Sequence, residues 1–216
     1  MKPGGGKSVR HRRSSSLPAT MTRLLCLSAR APVGGRVFLF QVHRRVWWRR
    51  FDSHTSSGRT ESTAEHSWRL CLMAIVFEDQ LAEPDMLKIL KMCVIHDLGE
   101  AINGDIPAVS QAAFPNKGEQ ERDDLVLLTS ALDEPLKAEI LALWDDYEHA
   151  QSAEAKAVKA LDKLETLLQH NQGKNPPDFN YEFNLAYGKK YTDADPLFEQ
   201  LRQLIDEDTR EKISKQ

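Results

Sequence analysis

The fold and chemistry of this 216-residue chain are decided by the stretch Ile95–Asp105, which reads IHDLGEAINGD. It continues an apolar run, Met86–Ile95, in which the only charged residues are Lys88 and Lys91. A charged group enters such a run at high cost unless a partner or a metal ion compensates it. Because nearly every face of a helix over this run would be apolar, the pattern predicts the central buried helix of the domain.

The same stretch contains four side chains that could bind a cation. His96 and Asp97 are adjacent, and the carboxylates Glu100 and Asp105 follow within one turn and one loop. If the helix continues through Gly99, then Glu100 lies one turn after His96 and faces the same way. Oxygen ligands beside an imidazole suit a divalent cation such as Mn, Fe, Co, Mg or Zn.

Composition places the chain among ordinary soluble proteins, with 41% hydrophobic and 28% charged residues. No apolar run approaches the ~20 residues needed to span a bilayer, so we expect no membrane span. The three cysteines, Cys26, Cys71 and Cys93, have no paired spacing, which favours free thiols in a reducing compartment and a cytoplasmic location.

Charge is distributed unevenly along the chain. Residues 1–50 contain 12 Lys and Arg and no acidic residue, so residues 51–216 contain 17 basic and 32 acidic residues. An acidic body argues against a nucleic acid polymer as the main partner, because neutralising phosphates requires a basic surface. A small anionic substrate remains compatible if a metal ion supplies local positive charge.

The basic segment 1–50 is predicted to be a leader outside the folded domain, which we place at residues 51–216. Its Arg-rich, Ser-containing, acid-free composition is typical of an organelle transit peptide and equally of a disordered basic tail. The part from Arg36 to Arg50 contains aromatic residues and could instead form an amphipathic helix that docks on the body.

From Asp52 onward the apolar periodicity is helical, and no strand is predicted. Ser62 and Glu65 have the capping-box spacing at a helix start. The expected class is all-α, a single bundle of about six helices. The six begin near Ser62, Pro84, Glu119, Pro135, Ser152 and Asp195.

Two further residues could belong to the site. His66 falls in the first turn of a helix, where the macrodipole disfavours imidazolium and keeps the ring able to bind a metal. Asp162 flanks a core stripe, where it is either a salt-bridge partner of Lys163 or Lys159 or a metal ligand.

These residues and the short sequence motifs around them resemble those of the HD-domain phosphohydrolases, in particular the YfbR-type 5′-deoxynucleotidases and HD domain-containing protein 2. The resemblance covers about residues 53–210. It is carried by SSGRTES at 56–62, AEHSW at 64–68, HDLGE at 96–100, GDIP at 104–107, SAEAK at 152–156, KALDK at 159–163, LQHN at 168–171 and YEFNL at 181–185.

The resemblance implies a divalent metal centre and roles for seven residues. The metal ligands would be His66, His96, Asp97 and Asp162. Glu100 and Asp105 would lie beside the metal, where they orient or deprotonate the attacking water or hold a second ion with the Ile106 backbone. Glu100 is the expected acid/base residue.

The implied reaction is hydrolysis of a nucleoside or deoxynucleoside 5′-monophosphate to nucleoside and phosphate, by a protein that pairs as a homodimer. Two alternatives stay open. The chain could hydrolyse another phosphate ester, such as a nucleoside triphosphate, an alarmone or a cyclic phosphodiester. It could also be a catalytically impaired, metal-binding helical module.

One departure from the family pattern falls before the Ser-Ser-Gly-Arg stretch. Family members usually place an Arg and a Trp there, in contact with the phosphate and the sugar, whereas this chain has Phe51 and His54 at the corresponding positions. Arg59 is a candidate replacement as a substrate contact, and the alternative is an exposed surface arginine.

Overall fold

The computed structural model describes residues 33–45, 49–81 and 84–216. Within these ranges, the chain forms nine α-helices and one two-stranded antiparallel hairpin. The helices are α1 Val33–Arg45, α2 Thr63–Val76, α3 Met86–Ile95, α4 Lys117–Leu128, α5 Glu134–His149, α6 Ala153–Gln172, α7 Tyr181–Asn184, α8 Lys189–Thr192 and α9 Pro196–Ser214. The hairpin strands are β1 Arg49–His54 and β2 Thr60–Ser62, and short 3₁₀ turns cover Glu78–Gln80, Leu98–Ala101 and Ala108–Ala113.

The predicted all-α class is confirmed, and the six predicted helices correspond to α2, α3, α4, α5, α6 and α9. Helix α2 begins with the predicted capping box. The Ser62 hydroxyl accepts a hydrogen bond from the Glu65 backbone N–H at 3.3 Å, and the Glu65 carboxylate accepts one from the Ser62 N–H at 3.0 Å. Such a cap stabilises a helix start by about 1 kcal/mol, so the first turn that carries His66 is well defined.

The central helix of the domain is α6, and the prediction that α3 is central is wrong. Helix α6 packs against α2, α3, α5, α8, α9 and strand β1, and its Val158, Leu161 and Leu164 are fully buried. Helix α3 instead leaves Leu87 and Val94 63% and 57% exposed, because no described element covers its outer side. The apolar composition of α3 therefore predicted more burial than the helix has.

The hairpin was not predicted. Strand β2 is three residues long, which is too short to produce a recognisable alternation in the sequence. The pairing of β1 with β2 is irregular, since Arg49 pairs with Ser62 but His54 pairs with Thr60. The extra residues on β1 form a bulge, which changes the faces to which its side chains point.

Part of the predicted leader is structured. Helix α1 packs Phe38 and Val42 against a buried apolar cluster between α4 and α5 that includes Leu125, Leu128 and Trp144. The proposed docking helix is therefore present over Val33–Arg45, and β1 begins before the boundary expected at residue 51.

Residues 1–32 of the leader lie outside the described residues, and so do Cys26, Trp47 and Trp48. Among the residues that are described, no helix has both the length and the apolar character needed to cross a membrane.

We predict that Leu164→Ala lowers the free energy of unfolding by about 2–5 kcal/mol, because it removes a side chain from the fully buried face of α6 and leaves a cavity. The measurement is urea denaturation followed by circular dichroism. The matched control is Leu204→Ala on α9, a residue that is 62% exposed, with an expected change of less than about 0.5 kcal/mol. Equal effects of the two substitutions would contradict the assignment of α6 as the core helix.

Candidate metal centre

Three helices bring two imidazole rings and two carboxylates together. His66 lies in the first turn of α2, His96 and Asp97 follow the end of α3, and Asp162 lies in the middle of α6. The two Nε2 atoms are 3.2 Å apart. Asp162 Oδ1 lies 3.2 Å from His66 Nε2, and Asp97 Oδ1 lies 3.1 Å from His96 Nε2. The four residues predicted as metal ligands therefore converge on one point.

The outward-facing atoms of these ligands are held by neighbouring groups. His96 Nδ1 lies 3.0 Å from the Cys93 carbonyl oxygen, and His66 Nδ1 contacts the Glu165 carboxylate. Because both acceptors require Nδ1–H, each ring, when neutral, presents the lone pair of its Nε2 to the other ring. Two lone pairs at this distance repel each other unless a proton or a metal cation lies between them.

The remaining oxygen atoms also fit a cation. Asp162 Oδ2 accepts hydrogen bonds from Tyr147 Oη and Lys163 Nζ, each at 2.8 Å, which leaves Oδ1 to face the histidines. Asp162 therefore forms the predicted salt bridge with Lys163 through one oxygen, and its other oxygen faces His66 in a position suited to a metal ligand. Asp97 Oδ2 is buried without a hydrogen-bond partner. The donor set of imidazole nitrogen and carboxylate oxygen fits a divalent metal ion.

The charges around His66 favour a positive species at this point. Burial and the Arg50 guanidinium lower the pKa of His66, but Glu165 and Asp162 raise it by more, to about 9. The two carboxylates thus outweigh the helix dipole, which the sequence predicted would keep the ring neutral. A bound cation supplies the same positive charge and displaces the proton.

Glu100 and Asp105 line the same cavity as His96, Asp97 and Asp162. Glu100 lies on the 3₁₀ turn after α3 rather than on a continued helix, and its Oε1 is 3.2 Å from Lys117 Nζ. Burial raises the pKa of Glu100 well above its usual range, and the nearby carboxylates of Asp97 and Asp105 add to the effect. A carboxyl group with a raised pKa is suited to accept a proton.

Glycine is required beside this turn. A Cβ on Gly99 would lie 2.7 Å from the Glu121 backbone oxygen, so the close packing of α4 against the turn depends on its absence.

Ile106 is not among the residues that line the cavity, and its carbonyl oxygen accepts a hydrogen bond from Gln111 at 3.2 Å.

Arg59, the predicted substrate contact, does not line the cavity. It is exposed and forms two hydrogen bonds with Glu65, from Nη2 at 2.5 Å and from Nη1 at 3.0 Å. This geometry corresponds to the surface arginine that the sequence left as the alternative.

The arginine that reaches the cavity is Arg50, which sequence reasoning missed. It is 9% exposed, donates to Thr166 Oγ1 at 3.3 Å, and has two buried nitrogens, Nε and Nη1, without a hydrogen-bond partner in the described structure. Burial lowers the pKa of Arg50, but Asp97, Asp162 and further carboxylates raise it well above its usual value. Comparison with the family pattern had placed the missing arginine at Phe51, the next residue along the chain.

The cavity beside the centre has a volume of about 950 Å³. Its wall has cationic and aromatic side chains next to one another, as in the 5.2 Å approach of Lys163 Nζ to the Tyr187 ring centroid, and it also contains carboxylates. The cationic side chains are Arg50, Lys117, Lys159, Lys163, Lys189 and Lys190, and the aromatic ones include Phe179, Phe183, Tyr187 and Tyr191. A cavity of this size and chemistry can hold a small organic anion.

Comparisons with known proteins agree with this geometry. Curated relatives include the 5′-deoxynucleotidase HDDC2 of Danio rerio, 37% identical over 112 residues, which are 52% of this chain and 55% of that protein. The human 5′-deoxynucleotidase HDDC2 is 35% identical over 114 residues, or 53% of this chain and 55% of its own length. The chain spans about half the length of the curated relatives it matches.

The fold also matches solved structures. A predicted metal-dependent phosphohydrolase from Magnetospirillum magnetotacticum MS-1 superposes with a TM-score of 0.68 at 26% sequence identity, over 82% of this chain and 94% of that one. A conserved hypothetical protein from Pyrococcus furiosus superposes with a TM-score of 0.53 at 27% identity, over 76% of this chain and 98% of that one. The HD domain family model matches residues 43–202, which include all four converging ligands. This chain belongs to the HD domain family.

Proposed function

We propose that this protein is a metal-dependent 5′-nucleotidase that hydrolyses nucleoside 5′-monophosphates, deoxynucleotides included. The observation that carries the proposal is the placement of a His/Asp ligand cluster, a buried arginine with free donors and a carboxyl group of raised pKa in one cavity. The names of the relatives, 5′-deoxynucleotidases, support the same substrate class.

His66, His96, Asp97 and Asp162 would hold the metal ion. Mn, Co, Mg, Fe or Zn is compatible with two imidazoles and two carboxylates, because these ligands are intermediate between hard and soft. A divalent cation bound there supplies Lewis-acid activation of water and of the phosphate ester. Asp105, which lines the cavity, is the candidate for holding a second ion, and the Ile106 carbonyl could join it only by releasing its hydrogen bond from Gln111.

Glu100 is the proposed acid/base residue. Hydrolysis adds water across the P–O5′ bond, so one proton must leave the water and one must reach the 5′ oxygen of the nucleoside. A carboxylate with a raised pKa accepts a proton from water more readily than an ordinary one. Lys117 at 3.2 Å holds Glu100 in place and favours its ionised form before the reaction.

Arg50 is the proposed phosphate contact. Its charge is maintained by the surrounding carboxylates, and its Nε and Nη1 have no hydrogen-bond partner among the described residues. Charge-assisted hydrogen bonds from a guanidinium match the oxygen geometry of a phosphate group.

The nucleoside would extend along α6. Asp162, Thr166 and His170 follow one another at four-residue intervals on the cavity side, so His170 lies about 12 Å from Asp162 along the helix axis. Thr166 anchors Arg50, and the His170 ring packs edge to face on Phe179 with centroids 4.9 Å apart. In this arrangement the phosphate would lie near Asp162 and Arg50, and the base would lie near Phe179.

We predict that the purified chain releases phosphate from 2′-deoxy and ribo 5′-monophosphates in the presence of Mn, Co or Mg. His96→Ala should abolish turnover, and Glu100→Ala should lower kcat by about 10²–10⁴-fold. The measurement is a phosphate-release assay, with Glu199→Ala, an exposed carboxylate on α9, as the control that retains full activity. Release from triphosphates or cyclic diesters alone would favour the second substrate class, and no release from a metal-loaded protein would favour the binding module.

We predict that Arg50→Met lowers kcat/KM for a monophosphate by roughly 10²-fold or more, because charge-assisted donors to the phosphate are lost. The matched control is Arg59→Met, which removes the same charge from a residue outside the cavity and should stay within twofold of the parent. If kcat/KM falls more in Arg59→Met than in Arg50→Met, the result would identify Arg59 as the substrate contact instead.

The proposal includes a homodimer that forms through the outer face of α2. Trp68, Leu72, Ile75 and Val76 recur at helical spacing on this face and are 45–66% exposed, which is unusual for four large apolar side chains in one stripe. A second copy that covers the stripe would remove this apolar surface from water.

We predict that the parent chain sediments as a dimer and that Leu72→Asp shifts it to a monomer at micromolar concentration. The measurement is sedimentation equilibrium, and the control is Leu204→Asp, at an exposed position on α9, which should leave the dimer intact. A dimer that survives Leu72→Asp would contradict this interface.

The proposed partner is thus a small nucleotide and no nucleic acid polymer or membrane. The cysteines Cys71 and Cys93 are free thiols, which agrees with the proposed cytoplasmic location.

A further inference from the structure

His66 is supported from behind by an ion pair that does not face the cavity. Its Nδ1 contacts Glu165 Oε2, and the other carboxylate oxygen of Glu165 lies 2.8 Å from Arg69 Nε. His66 and Arg69 are three residues apart on α2, and Asp162 and Glu165 are three residues apart on α6. Side chains at this spacing share a face of a helix, so the two helices meet through two successive layers of charged contacts.

The first layer belongs to the metal centre and the second lies outside it. Asp162 faces His66 Nε2 on the cavity side, whereas Glu165 faces Nδ1 on the opposite side. Glu165 is fully buried and is not among the cavity-lining residues. A nucleotide in the cavity therefore has no direct access to the Glu165 carboxylate.

Arg69 holds Glu165 in this position. Its side chain is 27% exposed, lines a separate, smaller cavity, and also lies 3.9 Å from the buried Glu61 carboxylate. The Glu165 carboxylate thus contacts His66 Nδ1 through one oxygen and Arg69 through the other. A carboxylate acceptor on Nδ1 fixes the tautomer that leaves Nε2 free for a metal, and it increases the basicity of the ring.

The two histidines differ in how they are oriented. His96 Nδ1 contacts the backbone carbonyl of Cys93. No side-chain substitution removes a backbone acceptor, whereas the acceptor of His66 is a side chain that depends on a second side chain. The metal affinity of the centre is therefore sensitive to residues that touch neither metal nor substrate.

We propose that Glu165, anchored by Arg69, is a positioning residue that sets the affinity of the centre for its divalent cation by orienting His66. This inference rests on the proposed metal centre but not on the identity of the substrate. It assigns control over metal loading to Arg69, which does not line the cavity beside the centre.

The test measures the affinity of the full chain for Mn²⁺ by competition with a chelating dye, together with the visible absorption of the Co²⁺-loaded protein. Glu165→Ala is expected to weaken Mn²⁺ binding by about 10–100-fold. Glu165→Gln should weaken it less, because an amide oxygen still accepts from Nδ1–H, and Arg69→Met should fall between Glu165→Gln and the parent. The Co²⁺ band should shift in Glu165→Ala, because the ring is no longer held.

The matched control is Glu154→Gln, which removes a carboxylate on the same helix that pairs with Lys88 at 3.1 Å, away from the centre. This variant should bind Mn²⁺ like the parent. Because the proposed effect is on metal loading, phosphate release by Arg69→Met should return to within a few-fold of the parent at saturating Mn²⁺.

Unchanged Mn²⁺ affinity and an unchanged Co²⁺ spectrum in a folded Glu165→Ala protein would overturn the inference and leave the proposed nucleotidase standing. If Glu165→Ala does not fold by circular dichroism, Arg69→Met decides, and parent-like affinity in that variant overturns the inference. A parent chain that binds no divalent cation would overturn the metal centre and this inference together. If the variants bind Mn²⁺ more weakly than the parent but the parent hydrolyses no nucleotide, the inference is supported and only the proposed function is contradicted.

Discussion

The arrangement of the helices depends on the burial of His66 between two carboxylates. The ring has no exposed surface, and it contacts Asp162 through Nε2 and Glu165 through Nδ1. Buried charges are tolerated only when their partners are held at hydrogen-bonding distance. This requirement places α2 and α6 in a fixed register, because a shift of one turn would separate His66 from both carboxylates.

The rest of the domain supplies what this pair of helices lacks. Helix α3 delivers His96 and Asp97 at its end, and its continuation as a 3₁₀ turn carries Glu100 to the cavity. The hairpin before α2 contributes Arg50, whose charge offsets the surrounding carboxylates. A phosphate that enters this cavity meets the Arg50 guanidinium, whose Nε and Nη1 have no hydrogen-bond partner among the described residues.

Local patterns were predicted well because they depend on neighbouring residues. The capping box at Ser62, the proline and aspartate helix starts, and the periodic helices all result from interactions within a few residues. The prediction that α3 is the central helix was wrong because burial depends on residues far apart in the sequence. Hydrophobicity reports how apolar a segment is, whereas burial depends on how many other elements surround it, and α6 is the helix with neighbours on all sides.

The sequence by itself determined the helical class and the helix boundaries to within a few residues, because these follow from local patterns, and its resemblance to the HD-domain phosphohydrolases indicated the four side chains that converge. Only the tertiary structure decided which arginine reaches the cavity, since Arg50 is delivered by a bulged strand that pairs across a turn, whereas Arg59 is captured by Glu65 on the surface. The role of Glu165 likewise depends on a contact between residues 99 positions apart. Long-range contacts of this kind follow from packing, which no local pattern in the chain records.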